Sequence, residues 1–161
     1  MSDLVVRGFV SDDGAQVVDL ILSIQRQEFG LSITAADQPD LAAIPDFYQT
    51  GAGGFWVATL DDVIVGSIAL KDIGGSAVAL RKMFVAPKGR GQAGAAGALL
   101  EAALSHARAH TVTDIYLGTT DRFRAAHRFY EKNGFAQVAP DDLPAAFPRM
   151  TVDTRFYRLR L

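Results

Sequence analysis

The segment from residue 80 to residue 104 restricts the possible folds of this chain more than any other segment. It opens with the apolar run Met83-Phe84-Val85-Ala86, which Pro87 ends. A turn of small residues follows, and apolar side chains then recur at the three- and four-residue spacing of a buried helix face. The pattern predicts a strand, a tight turn and a long helix.

The turn, residues 89–95, indicates an anion site. Its glycines and alanines leave backbone N–H groups accessible at the start of the helix, where the partial positive charge of the helix end favours a phosphate. Arg90 adds a permanent positive charge that can reach a phosphate oxygen. We expect the diphosphate of a nucleotide here. A corner whose small residues only allow close packing is the alternative.

The composition is that of one globular domain covering residues 1–161, with 49% apolar and 21% charged residues. The net charge of −2 gives no basic field, so no nucleic-acid partner is expected. The chain has no cysteine, which excludes disulfides and thiolate metal sites, and no residue is assigned as a metal ligand. Without signal-peptide features or a membrane-length apolar run, we expect a cytoplasmic protein with no membrane partner.

Hydrophobic periodicity predicts the element order β-α-α-β-β-β-α-β-α-β-β. The three central strands form an antiparallel meander that turns at residues 61–62 and 74–76. The helical connection to the next strand should be a right-handed parallel crossover. Asp121 is expected to cap the following helix, whose inward face carries Phe123 and Tyr130. The fold class is therefore mixed α/β, with helices on both faces of one sheet.

Two motifs now carry a resemblance to a known family. Residues 85–95 resemble the acyl-CoA-binding signature of the GNAT acetyltransferases, an Arg or Gln followed by spaced small residues. Residues 126–135, Ala-His-Arg-Phe-Tyr-Glu-Lys-Asn-Gly-Phe, resemble the second motif of that family, and the chain is similar to a bacterial subgroup of it. The resemblance covers the whole chain and implies an α+β fold with a mixed, mostly antiparallel sheet of six to seven strands.

The resemblance also implies a reaction. A GNAT enzyme moves an acetyl group from acetyl-CoA, its co-substrate, to a primary amine by direct attack. Its pantetheine arm lies where two neighbouring strands diverge, and a backbone N–H, here of Phe84 or Val85, stabilises the oxyanion. Tyr130 matches the general acid of the family. The residues that match the coenzyme site are Met83, Phe84, Val85, Arg90, Gly91, Gln92, Ala93, Gly94, Ala95 and Phe123.

Three positions depart from the family pattern. Ala93 replaces the first loop glycine, and Phe123 replaces an asparagine that often contacts pantetheine. The strand before the loop has no glutamate, because Ala79, Arg81 and Lys82 stand there. The usual general base therefore has no counterpart.

The proton acceptor and the amine acceptor are left open. His127, Asp72 and Glu28 are candidate bases, although His127 is better explained as a solvated helix residue. The acceptor is expected to be a small-molecule or peptide amine, and the family habit suggests a homodimer. Acceptor contacts are expected from the first two helices and the C-terminal tail, namely from Phe29, Tyr48, Phe147, Arg149 and Phe156.

Two other functions fit parts of the sequence. Gly89, Gly91 and Gly94 also satisfy the glycine spacing of a dinucleotide-binding turn, which would make the protein a nicotinamide or flavin oxidoreductase. The departures from the family pattern would also suit a non-catalytic acyl-CoA sensor of the same fold.

Overall fold

A computed structural model describes residues 3–121 and 123–161, so Met1, Ser2 and Arg122 lie outside the description. The strands are β1 (Leu4–Gly8), β2 (Gly54–Leu60), β3 (Val63–Gly74), β4 (Ala77–Val85), β5 (Asp114–Thr119), β6 (Ala136–Val138) and β7 (Arg155–Arg160). The α-helices are α1 (Gly14–Ser23), α2 (Ile44–Phe47), α3 (Ala95–Ala109) and α4 (Arg124–Lys132). A π-helical turn, Ile24–Glu28, extends α1.

The strands form one sheet in the order β1-β2-β3-β4-β5-β7-β6. The pairing of β4 with β5 is parallel, and the other described pairings are antiparallel. The predicted fold class and element order are confirmed. Asp61 and Asp62 turn the first hairpin with φ of 51° and 64°, the left-handed pair that a two-residue turn needs to match strand twist.

The helices divide between the two faces of the sheet. One face packs against α1 and α2, with Ile21 and Ile44 buried at its centre. The other face packs against α3 and α4, with Leu99 and Tyr130 in its core. Gly66 lets β3 approach α3 closely, because a Cβ there would lie 2.9 Å from Leu99 Cδ1.

One predicted detail is wrong, because Asp121 does not cap α4, whose N-cap is Phe123. Pro45 lies in the first turn of α2, where a missing N–H costs no hydrogen bond. The strand that follows α3 begins at Asp114.

A V-shaped opening separates β4 from β5, and we call it the cleft. The two strands pair only from Ala77 to Ala79 on β4. Just beyond, Lys82 adopts φ 54°, and the register with β3 shifts, so that Lys82 and Met83 together oppose Ile68. This β-bulge turns the end of β4 away from its neighbour.

Among the described residues, no helix is long and apolar enough to cross a membrane.

Candidate active site

The wall of the cleft offers free backbone groups from β4. Ala86 donates its amide to Val65 O at 2.7 Å, so that amide points toward β3. The carbonyl of Val85 instead accepts from Arg90 Nε at 2.9 Å. Because backbone groups alternate along a strand, the N–H of Val85 faces the cleft while that of Phe84 faces β3. Met83, Phe84 and Val85 are all half-buried at this wall.

The loop between β4 and α3 presents further amides. Gly91 and Gly94 have φ of 64° and 69°, and Gly94 is the N-cap of α3. Ala93 lies between them with an ordinary backbone conformation, so the methyl group that replaces the family's glycine is accommodated. No carbonyl among the described residues accepts from the amides of Gln92, Ala95, Ala96 or Gly97. These donors meet at the positive end of the 15-residue helix.

Arg90 is already engaged by a carboxylate. Its Nη2 lies 2.5 Å from Glu28 Oε1, at the end of the π-helical turn, and both side chains are partly exposed. The pair ties the loop to the α1 side of the cleft. An anion at the loop would compete with Glu28 for Arg90.

Tyr130 combines a buried ring with an unpaired hydroxyl group. Only 7% of its surface is exposed, and its ring packs against Phe129, Phe135 and Tyr157. Its hydroxyl has no hydrogen-bond partner in the described part of the chain. Every fully enclosed side-chain N or O atom of the described residues has a hydrogen-bond partner. The Tyr130 oxygen has none among these residues, so it must be in contact with solvent. Burial raises the pKa of the Tyr130 phenol, which keeps it protonated at neutral pH.

Each of the three candidate bases already binds another group of the protein. His127 is 5% exposed, so its interpretation as a solvated residue is wrong. Its Nε2 lies 2.8 Å from Thr120 O, and its Nδ1 lies 3.3 Å from Arg155 Nη1, so both ring nitrogens are occupied. Asp72 accepts from two backbone amides, and these hydrogen bonds lower its pKa. Glu28 holds Arg90.

The residues expected to contact the acceptor are not all available. Tyr48 is fully buried, with its hydroxyl 2.5 Å from Asp40 Oδ2, and Phe156 is a core residue. Arg149 is exposed and lies over the Phe156 ring at 5.2 Å. Phe147 is half-buried against the edge of the same ring.

Phe29 and Phe123 form an aromatic contact between the α1 side and the start of α4, with ring centroids 4.3 Å apart. Phe123 thus replaces a polar asparagine by a ring that packs against another ring. Phe123 is the N-cap residue of α4, and its amide donates to the carbonyl of Thr120, just after β5, at 3.1 Å.

Two residues near the apex of the cleft were not assigned a role from the sequence. Arg81 follows the last paired residues of β4, and its guanidinium lies 5.8 Å from the Phe47 ring centre. Asp153 precedes β7, and its Oδ2 would lie 2.5 Å from a Cβ on Gly118 of β5. Only the missing glutamate at the β4 position drew attention to Arg81, and no sequence signal indicated Asp153.

The topology decides against the dinucleotide-binding alternative. That turn belongs to a sheet of parallel strands, whereas β4 is antiparallel to β3 and parallel only to β5. The described residues also contain no group of three or more His, Asp or Glu side chains that could hold a metal ion.

Comparison with known proteins agrees with this architecture. The family model of the GNAT acetyltransferase domain matches residues 51–137, from the turn before β2 to β6, and the chain belongs to that family. N-acetylaspartate synthetase from Rattus norvegicus is 35% identical over 131 residues, which cover 76% of this chain. Those residues are 44% of the relative, and the chain spans less than half the length of each N-acetylaspartate synthetase that it matches.

Two solved bacterial structures match over nearly the whole chain. A GNAT-family acetyltransferase from Staphylococcus aureus Mu50 has a TM-score of 0.93 at 34% identity, covering 98% of this chain and 99% of its own. An acetyltransferase from Streptococcus agalactiae 2603 has a TM-score of 0.92 at 35% identity, covering 98% of each chain.

Proposed function

We propose that this protein transfers an acetyl group from acetyl-CoA to a primary amine. The observation that carries the proposal is the cleft between β4 and β5, which has a free amide at Val85 on its wall and the amide-rich start of α3 at its end. Membership of the GNAT family supports the same reaction. A non-catalytic acyl-CoA sensor would need the cleft but not an unpaired phenol.

The proposed coenzyme site uses the residues expected from the sequence. The pantetheine arm would pair with β4 as an added strand would, and the diphosphate would take the loop amides. The Val85 amide, which faces the cleft, is the proposed oxyanion donor. The residues assigned to this site are Met83, Phe84, Val85, Arg90, Gly91, Gln92, Ala93, Gly94, Ala95 and Phe123.

Tyr130 is the proposed general acid. The neutral amine nitrogen bonds to the acetyl carbon and loses one proton to solvent. The C–S bond breaks, the leaving thiolate takes the phenolic proton, and Tyr130 then regains a proton from solvent. A free thiol has a pKa near ~8.5 and a phenol near ~10, so the exchange is close in energy before burial is considered. Burial raises the pKa of Tyr130, and the phenol is therefore the stable form between turnovers.

The test is free-thiol release from acetyl-CoA with a panel of small-molecule and peptide amines. We expect Tyr130→Phe to lower kcat by about 100-fold, as loss of a general acid does. The KM for acetyl-CoA should change little, because the hydroxyl group acts on the thiolate and not on the bound coenzyme.

Tyr157→Phe is the matched control. Tyr157 lies in the same ring cluster, but its hydroxyl is bound to Glu131 at 2.6 Å. It should keep kcat. An unchanged kcat in Tyr130→Phe would remove Tyr130 from the mechanism, and tight acetyl-CoA binding without transfer to any amine would favour the sensor.

Two finer expectations belong to the same proposal. A cytoplasmic location is the default expectation, and a homodimer is expected from the habit of the family. Cell fractionation and light scattering of the purified protein would check them.

A further inference from the structure

Positive side chains collect near the apex of the cleft, on the face that carries α2. Arg81 and Lys82 stand at the bulge of β4, and Arg149 comes from the segment before β7. Lys71 of β3 lies close by, with Nζ 4.4 Å from the Phe47 ring centre. The cluster adjoins the place where, under the proposed function, the thioester meets the acceptor.

Lys82 is satisfied within the protein. Its Nζ lies 2.7 Å from Gln38 Oε1 and 3.5 Å from Asp40 Oδ2, and its side chain is only 8% exposed. Asp40 also accepts from the Tyr48 hydroxyl. Lys82 therefore belongs to a closed buried network and is not available to a ligand.

Arg81 has no such carboxylate. Its Nη2 lies 3.5 Å from the thioether sulfur of Met150, and its guanidinium carbon lies over the face of Phe47. Neither group carries a negative charge. No carboxylate within the described ranges comes within 4.0 Å of it. A half-buried guanidinium held by apolar groups keeps its N–H donors ready for a planar anion.

Asp153 lies near Arg81 and Arg149. Its Oδ2 accepts from the Met150 amide at 3.0 Å and lies beside Gly118 of β5. Burial raises the pKa of Asp153, while the nearby charges of Arg81 and Arg149 lower it in part. An acidic side chain thus lies near the two arginines, next to β5.

We propose that the acceptor is an amine that also carries a carboxylate, such as an amino acid, and that Arg81 binds this carboxylate. The inference rests on the proposed function and adds the substrate class. In the reaction, the neutral amine forms an N–C bond to the acetyl carbon and loses one proton to solvent. The C–S bond breaks, the thiolate takes the proton of Tyr130, and Tyr130 regains a proton from solvent.

Matched acceptor pairs test the inference. Glycine and phenylalanine are each compared with the corresponding carboxamide, which keeps the amine and removes the negative charge. The readout is thiol release, with the acetylated product identified by mass. For at least one pair we expect kcat/KM to be at least about tenfold higher for the acid than for the carboxamide. This is the size of effect expected when a hydrogen bond to a charged group is lost.

Arg81→Gln should raise the KM for the acid by about 10- to 100-fold, with a smaller effect on kcat. It should leave the KM for acetyl-CoA and the rate with the carboxamide unchanged, and Arg81→Lys should restore part of the preference. Arg108→Gln is the control, because Arg108 is exposed near the end of α3 and has no partner among the described residues.

The outcomes separate the two proposals. Equal use of acids and carboxamides, or an equal loss for both in Arg81→Gln, would overturn the inference and leave the acetyl transfer intact. Binding of acetyl-CoA without acetylation of any acid or carboxamide would overturn both.

Discussion

At the scale of single residues, the ion pair between Arg90 and Glu28 carries a cost for ligand binding. Arg90 matches a family position that contacts the coenzyme, yet here it holds a carboxylate at 2.5 Å. A phosphate that takes Arg90 must first separate it from Glu28. Both side chains are partly exposed, so the energy involved is small.

We therefore expect Glu28→Gln to tighten coenzyme A binding by about two- to fivefold, measured by calorimetry. Glu101→Gln, a change of the same charge on the exposed side of α3, should leave the dissociation constant unchanged. Weaker binding in Glu28→Gln would instead mean that Glu28 orients Arg90 for its ligand.

At the scale of elements, the junction between the loop and α3 depends on one backbone conformation. Gly94 has φ 69°, a region that costs an L-residue about 1–2 kcal/mol. Gly97 lies three residues later, exposed inside the helix, and a Cβ there would meet nothing within 4 Å. The same substitution should therefore act in opposite directions at the two sites.

We expect Gly94→Ala to lower the free energy of unfolding by about 1–2 kcal/mol. Gly97→Ala should raise it by up to about 1 kcal/mol, because alanine favours a helix interior. Urea denaturation measures both values. Destabilisation of similar size at both sites would show that neither the φ of Gly94 nor the helical state of Gly97 sets the energy.

At the scale of the whole molecule, the sheet separates two hydrophobic cores. The cleft lies where the backbone hydrogen bonds between β4 and β5 end. A ligand that bridges β4, the loop and α4 would bind only the folded chain and so stabilise it by mass action. At a hundredfold excess over its dissociation constant the gain is about 2.7 kcal/mol.

Acetyl-CoA should therefore raise the thermal midpoint by about 5–10 °C, given a shift of about 2–4 °C per kcal/mol for a chain of this size. NAD at the same concentration is the control and should cause no shift. A shift with NAD and none with acetyl-CoA would contradict the proposed coenzyme.

Local sequence accounts for much of the fold and for part of the site. The strand, turn and helix around residues 80–104 were predictable because a dihedral preference, a helix period and a small-residue turn are properties of neighbouring residues. The hairpin at Asp61 and Asp62 was predictable for the same reason. The burial of His127 was not, because its partners are Thr120, which follows β5, and Arg155 of β7, and both come close only in the folded sheet.

The sequence by itself determined the order of the elements, the glycine-rich start of α3 and the position of Tyr130 in a helix motif. Tertiary structure alone decided that β4 stops pairing with β5 after Ala79, that Glu28 binds Arg90, and that Asp153 lies near Arg81. The reason is physical. Backbone preferences act over a few residues, whereas charges and strand pairing act between parts of the chain that meet only when the sheet has formed.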